Sequence, residues 1–346
     1  MPRFRHAGIG MLLRALAMFA LSAALMLSTM GATLAEDAEG PLTIYSGRSE
    51  SLAGPVLDAF TQTTGIDVEA KYADTAELAA ILLEEGTRSP ADVFFSQDAG
   101  ALGAIGDAGL FDRLPDETLS RIPAMFSDPD GQWVGVSGRA RTAAYTTTEG
   151  IELPDSILGF TDSTWSGRLG WAPANGSFQS FVTALRVIEG EDAARAWLEG
   201  ILANDPVAYP KNTAAVEGVA AGEVDVALVN HYYLLRLLAE HGDDYPVTQQ
   251  FFEGGDPGSL INVAGVGRLA STDQPEAAVA LIDYLLGEEA QGYFATSTYE
   301  FPLIEGIPAD PRLPDLDTIE MPDVDLSALA DLQGTVALLR EVGAID

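Results

Sequence analysis

Apolar and polar residues switch between two periods along this chain, and the switches divide it into strands and helices. "LTIYS" is a short apolar run of strand length, and Leu52, Val56, Leu57 and Phe60 then recur on one helical face until "TG" ends it. "IDVEAKY" alternates with period two, and "ELAAILLEEG" follows, with Asp74 and Glu77 spaced as a capping box. "ADVFF" is another buried strand, followed by the small-residue helix "AGALGAIGDAG". "QWVGV" and "RARTAAYTT" are two further strands, with Arg139 and Arg141 on alternate positions. Strand and helix in alternation predict an α/β protein with largely parallel sheets.

The second half keeps the style with different contents. "NGSFQSFVTALRVIEG" is a turn feeding an amphipathic helix, and "DAARAWLEGILAN" is another helix. "NTAAVEGVAAGEVDVALVNHYY" reads as helix, turn, strand and helix entrance, "INVAGVGRL" as a strand, and "PEAAVALIDYLLGEEAQGYFATST" as a helical pair. The proline-rich "FPLIEGIPADPRLPDLDTIEMPDVD" breaks regular structure before a last helix from about Leu326 to Val342, a tail expected to pack across the body.

Within this pattern "VNHYYLLRLL" sets two tyrosines side by side where a strand turns into a helix. A helix turns by about 100° per residue, so Tyr232 and Tyr233 converge only at its entrance. One ring packed inward and one on the surface is the ordinary alternative.

Composition narrows the setting. Arg3, Arg5 and Arg14 precede "ALAMFALSAALML" and the small residues "GATLA", the layout of a secretory leader with cleavage after Ala35. There is no cysteine, hence no disulfide, thiolate metal site or lipid-anchored cysteine. The expectation is an exported protein in a Gram-negative periplasm, without insertion into the membrane. Removing the leader takes away three arginines and no acid, moving the formal charge from −34 to −37. Such a surface repels nucleic acid. The two lysines, Lys71 and Lys211, stand against sixteen arginines, and the acids are spread along the chain as a solvation trait.

"LTIYSGRSE", "SPADVFFSQDAGALG", "VSGRARTAAYTT", "NTAAVEGVAAGEVDVALVNHYYLLRL" and "QGYFATSTYEFPL" resemble, in order and over nearly the whole mature chain, the ferric-iron-binding periplasmic proteins of ABC transporters. The resemblance implies a two-lobed clamshell of the type II periplasmic-binding class, each lobe a mixed sheet flanked by helices. It places lobe one at 41–136 plus 264–302, lobe two at 137–263, and the tail at 303–346 on the body. It implies a monomer that hands Fe(III) to an ABC permease.

The residues bear on that chemistry independently. Fe(III) is a hard cation that favours anionic oxygen, and with no Cys and only His231 and His241 in the mature chain, oxygen ligands are the available kind. A phenol has a pKa near 10, and a metal ion supplies the charge that favours the phenolate. The resemblance makes Tyr232 and Tyr233 ligands and matches Tyr145 to a third tyrosine, which as a strand residue could equally be core. Ser49 stands where relatives can carry a histidine and Gln97 where some carry an acid, so these two are weak cleft contacts and an anion such as carbonate or bicarbonate is expected to complete the shell. Asn175, Gly176 and Ser177 open a helix whose first N–H groups suit an anion, although Asn and Ser are ordinary turn and cap residues there. Asn212 and Asn230 match anion-contacting positions of the family. Arg48 and Arg139 offer guanidinium forks, unless each is spent on a carboxylate.

Other classes fit less well. No G-x-S-x-G, H-E-x-x-H, Walker or dinucleotide pattern is present, and Lys211 beside Pro210 has nothing in the sequence to lower its pKa, so catalysis is not expected. The remaining rival is the same clamshell taking another solute, an oxyanion, phosphonate or organic cation, with the tyrosines stacking on it.

Overall fold

The computed structural model describes residues 40–148 and 150–346, and the leader read from the sequence lies outside the described residues. Residues 42–346 form one compact unit. Its strands are β1 (Leu42–Ser46), β2 (Val68–Tyr72), β3 (Val93–Ser96), β4 (Trp133–Thr146), β5 (Leu169–Trp171), β6 (Val207–Ala208), β7 (Val226–Asn230), β8 (Val247–Gln250) and β9 (Ile261–Arg268). They are hydrogen-bonded in the order β2-β1-β3-β9-β4-β7-β5-β6, with β8 also on β4. Two parallel groups, β2-β1-β3 and β7-β5-β6, are joined through antiparallel pairings of β9 and β4. The sheets are therefore mixed, where the alternation alone pointed to largely parallel ones.

β4 does the joining. Its first part, Trp133 to Ala140, pairs with β9, and Arg141 to Tyr145 pairs with β7, with β8 along its last residues. The sequence reading had two strands here. The pairing shows one, because neighbours are available along its whole length and the chain has no need to turn; a register shift between Gly135 and Ser137 absorbs the irregularity. Successive side chains of a strand face opposite ways. Ala143 accordingly lies in one apolar cluster, with Phe160, Phe178 and Trp197, and Ala144 in another, with Val216, Val229 and Leu234.

The longer helices are α1 (Glu50–Thr64), α2 (Thr75–Glu85), α3 (Ala99–Asp107), α4 (Gly176–Glu189), α5 (Glu191–Ala203), α6 (Asn212–Ala221), α7 (His231–His241), α8 (Pro275–Leu285), α9 (Glu288–Thr296) and α10 (Leu332–Glu341). The face of α1 read from the sequence is buried through Val56, Leu57 and Phe60. Asp74 stands at the N-cap of α2, but its side chain makes no cap hydrogen bond, so the capping box does not form. Instead Thr75 Oγ1 accepts the N–H of Gln97, tying α2 to the loop after β3. The last helix starts later than the sequence suggested: Leu326–Ala330 is a 3-10 turn, and α10 follows it.

That turn lies against α3. A Cβ on Gly100 or Gly103 would meet the carbonyl oxygens of Leu329 or Ser327 at 2.3 and 2.5 Å, so glycine at both positions is what lets the tail approach. α10 is fastened to α4 by Arg186 to Asp331 and by the buried Thr183–Thr335 contact. Among the described residues no helix is long and apolar enough to cross a membrane.

Candidate functional site

The paired tyrosines lie in the first turn of α7, directly after β7, and Asn230 is the N-cap. Both are inside the helix, not ahead of it, yet they converge. Their ring centroids are 4.3 Å apart, tilted by 39°, and the hydroxyl of Tyr232 donates to that of Tyr233 at 3.1 Å. Tyr232 is buried and Tyr233 half-buried. The Arg236 guanidinium covers the Tyr232 ring at 4.9 Å. Burial pushes the Tyr232 hydroxyl well above the usual phenol range; charge on Tyr233 and Glu300 adds to this and Arg139 opposes it. Without a cation Tyr232 thus keeps its proton at neutral pH.

Arg139 and Arg141 project from alternate positions of β4, and both are buried. Register places Arg141 opposite Asn230 at the mouth of α7. Its Nη1 donates to Asn230 Oδ1 and its Nη2 to the Leu228 carbonyl, and the guanidinium lies over Phe178 and Phe181. Burial lowers its pKa to about 9, with the phenols of Tyr233 and Tyr232 acting the other way, so it is still a cation at neutral pH. Among the described residues neither arginine forms an ion pair with a carboxylate, and the buried Nε atoms of both lack a hydrogen-bond partner. Together with Ser177, Phe181, Asn230, Leu260 and Asn262 they line a small cavity. Sequence reasoning missed Arg141 and Asn262. The R-x-R spacing on one strand face was a usable signal for Arg141; Asn262 had none.

Other expected contacts are placed differently. The Arg48 guanidinium is not a free fork: it pairs with Glu300 at 2.9 Å, both side chains being 1% exposed, and lies between the Phe95 and Phe294 rings. The pairing alternative, a carboxylate, holds for Arg48, although that carboxylate is buried. Burial alone would raise Glu300, but Arg48 and Arg139, with hydrogen bonds from Arg48 and Ser137, hold it below the ordinary carboxylate range.

The mouth of α4 caps itself. Asn175 accepts the Ser177 N–H through its side chain and those of Phe178 and Gln179 through its carbonyl, so the donors expected to face an anion are largely taken. Asn212 donates to Asn175 and Ser177 and lies behind them. Gly176, the first residue of α4, has open space where a Cβ would stand.

Tyr145 does not join the pair. It lies opposite Val226, four residues along β4 from Arg141, which is about 13 Å at strand rise. There it packs beside the Ala143 cluster, whereas Tyr233 packs beside the opposite one. The strand-core alternative describes it.

Ser49 and Gln97 follow β1 and β3, at the carboxyl ends of parallel strands where open α/β sheets take ligands. Ser49 is exposed, with its hydroxyl 3.1 Å from that of Ser51, and Gln97 is half-buried. Among the described residues neither is hydrogen-bonded to the tyrosines. Beside Gln97 the buried Asp98 caps α3; burial raises its carboxyl, against the pull of the Ala101 N–H and Arg139. His231 is buried too, and burial lowers its pKa to about 4.

The chain resembles known proteins in sequence and in fold. The model of the bacterial extracellular solute-binding protein family matches residues 56–320. The chain is 33% identical over 319 residues to the major ferric iron-binding protein of Neisseria meningitidis, covering 90% of this chain and 95% of that one. It is 31% identical to the Fe(3+)-binding periplasmic protein of Serratia marcescens, over 94% and 97% of the two chains. Iron-bound HitA from Pseudomonas aeruginosa superposes with a TM-score of 0.82 at 33% identity, over 88% of this chain and 99% of that one.

Proposed function

This chain belongs to the ferric-iron-binding members of the bacterial extracellular solute-binding proteins, and on that premise we propose that Tyr232 and Tyr233 hold Fe(III) as phenolates beside an anion carried by Arg139 and Arg141. The fold is the type II clamshell of periplasmic binding proteins, and the protein captures ferric iron for an ABC permease without catalysing a reaction.

The observation that carries the site is the phenol–phenol contact of 3.1 Å at the entrance of α7, next to two buried guanidiniums without carboxylate partners. A trivalent cation favours the phenolate form of both ligands, against the burial that holds the proton on Tyr232. Two phenolates leave one positive charge, and an anion neutralises it. Arg139 and Arg141, with Asn230, supply the donors such an anion needs, and carbonate or bicarbonate has the size and charge to use them; Ser177 lines the same cavity with its own N–H and O–H spent on Asn175. Asn175, Gly176 and Asn212 shape that wall from behind. Ser49 and Gln97 approach from the other lobe by hydrogen bonding.

On the same reading residues 1–35 are a leader removed on export, lobe one is 41–136 plus 264–302, lobe two is 137–263, and 303–346 is the tail. The protein works as a monomer in the periplasm, and iron draws the lobes together. Ferric citrate added to the iron-free protein in bicarbonate buffer should generate a visible phenolate-to-iron band. Tyr232→Phe and Tyr233→Phe should each lose most of the band and of the affinity while the apo fold survives. Two variants that keep wild-type colour and affinity would place the site elsewhere.

A further inference from the structure

His231 stands immediately before the tyrosine pair and is fully buried, yet it faces neither the cavity of Arg139 and Arg141 nor solvent. Both of its nitrogens are committed. The Ala140 N–H can only donate, and it meets Nδ1 at 3.1 Å; the Tyr299 carbonyl can only accept, and it meets Nε2 at 2.7 Å. These partners dictate the neutral tautomer with hydrogen on Nε2, leaving no lone pair for a metal. The ring stands edge-on to Tyr232, 5.6 Å between centroids at 86°, and 4.9 Å from Phe301.

The two partners make this more than core packing. Ala140 is the residue of β4 at which pairing passes from β9 to β7, between Arg139 and Arg141. Tyr299 is held at φ 59°, a backbone conformation uncommon outside glycine, and it leads into Glu300 and Phe301. Glu300 receives Arg48 and Ser137, and Phe301 bridges to Gly138 of β4. One imidazole therefore connects the turn carrying both phenols to the strand carrying both guanidiniums, and to the segment that fixes Arg48.

We infer that His231 is a positioning residue for the iron site, orienting the Tyr232–Tyr233 pair against β4 and the 299–301 segment so that they act as one rigid piece. This rests on the phenolate reading above. Outer groups that orient metal ligands cost about 10- to 100-fold in metal affinity when replaced, and His231 should fall in that range.

Asparagine offers an oxygen near the place of Nδ1, and glutamine an N–H near that of Nε2, so His231→Asn, His231→Gln and His231→Phe separate the two links. Ferric affinity, the position of the visible band, and hydrogen exchange of the Ala140 amide in the iron-free protein are measured for each. The expected result is about 10- to 100-fold weaker iron binding with a displaced band in His231→Phe, and partial recovery in the two amide variants. Ala140 should exchange faster in His231→Phe and His231→Gln, and stay protected in His231→Asn. A wild type that shows the band alongside a folded His231→Phe or His231→Gln with unaltered affinity and band overturns the positioning role alone. A wild type without the band overturns the phenolate reading and this inference with it.

Discussion

Replacing Glu300 by glutamine removes one charge from the interior and almost no volume. In the native protein that carboxylate takes Arg48 Nη2 at 2.9 Å and the Ser137 hydroxyl, with Arg139 acting on it as well. Both members of the ion pair are 1% exposed, so neither solvent nor salt can replace the lost charge. Removing one partner of a buried pair costs about 3–5 kcal/mol, most of it the penalty of the cation left behind. For a chain of this size that corresponds to a fall in Tm of roughly 5–8 °C. The assay is urea and thermal unfolding of the iron-free protein near pH 7.5. The folded pKa of Glu300 lies below its unfolded value, so its contribution is full above the unfolded pKa and is lost as pH falls through the folded one. The gap between wild type and Glu300→Gln should therefore narrow in acid. Arg48→Met combined with Glu300→Leu, which removes both charges, should recover much of the loss. A Glu300→Gln protein within about 1 kcal/mol of wild type at pH 7.5 would refute the reasoning, since 1 kcal/mol is what an exposed pair contributes.

Three other outcomes follow from the same geometry. Tyr145→Phe should leave ferric affinity and colour unchanged, because register separates it from the pair; a bleached variant would contradict that separation. Arg141→Gln should weaken iron binding more in bicarbonate than in buffer free of coordinating anions, and equal losses in both would count against an anion on that arginine. His231 has a folded pKa of about 4 against 6.5 unfolded, so its stabilisation is present above pH 6.5 and fades as pH falls towards 4, by roughly 3 kcal/mol at ~1.4 kcal/mol per pH unit. His231→Gln should flatten the acid limb of the apo stability curve, and parallel curves for the two proteins would rule the contribution out.

The strands and helices were legible because each has a period that its core face enforces: α1 buries Val56, Leu57 and Phe60, three of the four residues whose spacing announced it. The tyrosine pair was legible because two neighbours at a helix entrance have few ways to point. What escaped was long-range. Nothing local says that Arg48 finds Glu300, 252 positions away, or that the arginine two places after Arg139 lies opposite Asn230. The place of Tyr145 was illegible for the same reason: a strand tyrosine is defined by the register of its neighbours, and register is set by pairing. The self-capped mouth of α4 was hidden because Asn175 is both a good cap and a good anion contact, and only geometry distinguishes the two.

The most direct test is a crystal structure of the iron-loaded protein with anomalous data collected at the iron edge. The account predicts a single strong iron peak bonded to the hydroxyl oxygens of Tyr232 and Tyr233, with an anion between the metal and Arg139 and Arg141, and with Tyr145 remote from it. An iron peak that touches neither phenol, or one held through Tyr145 with Arg139 and Arg141 turned away, would contradict it.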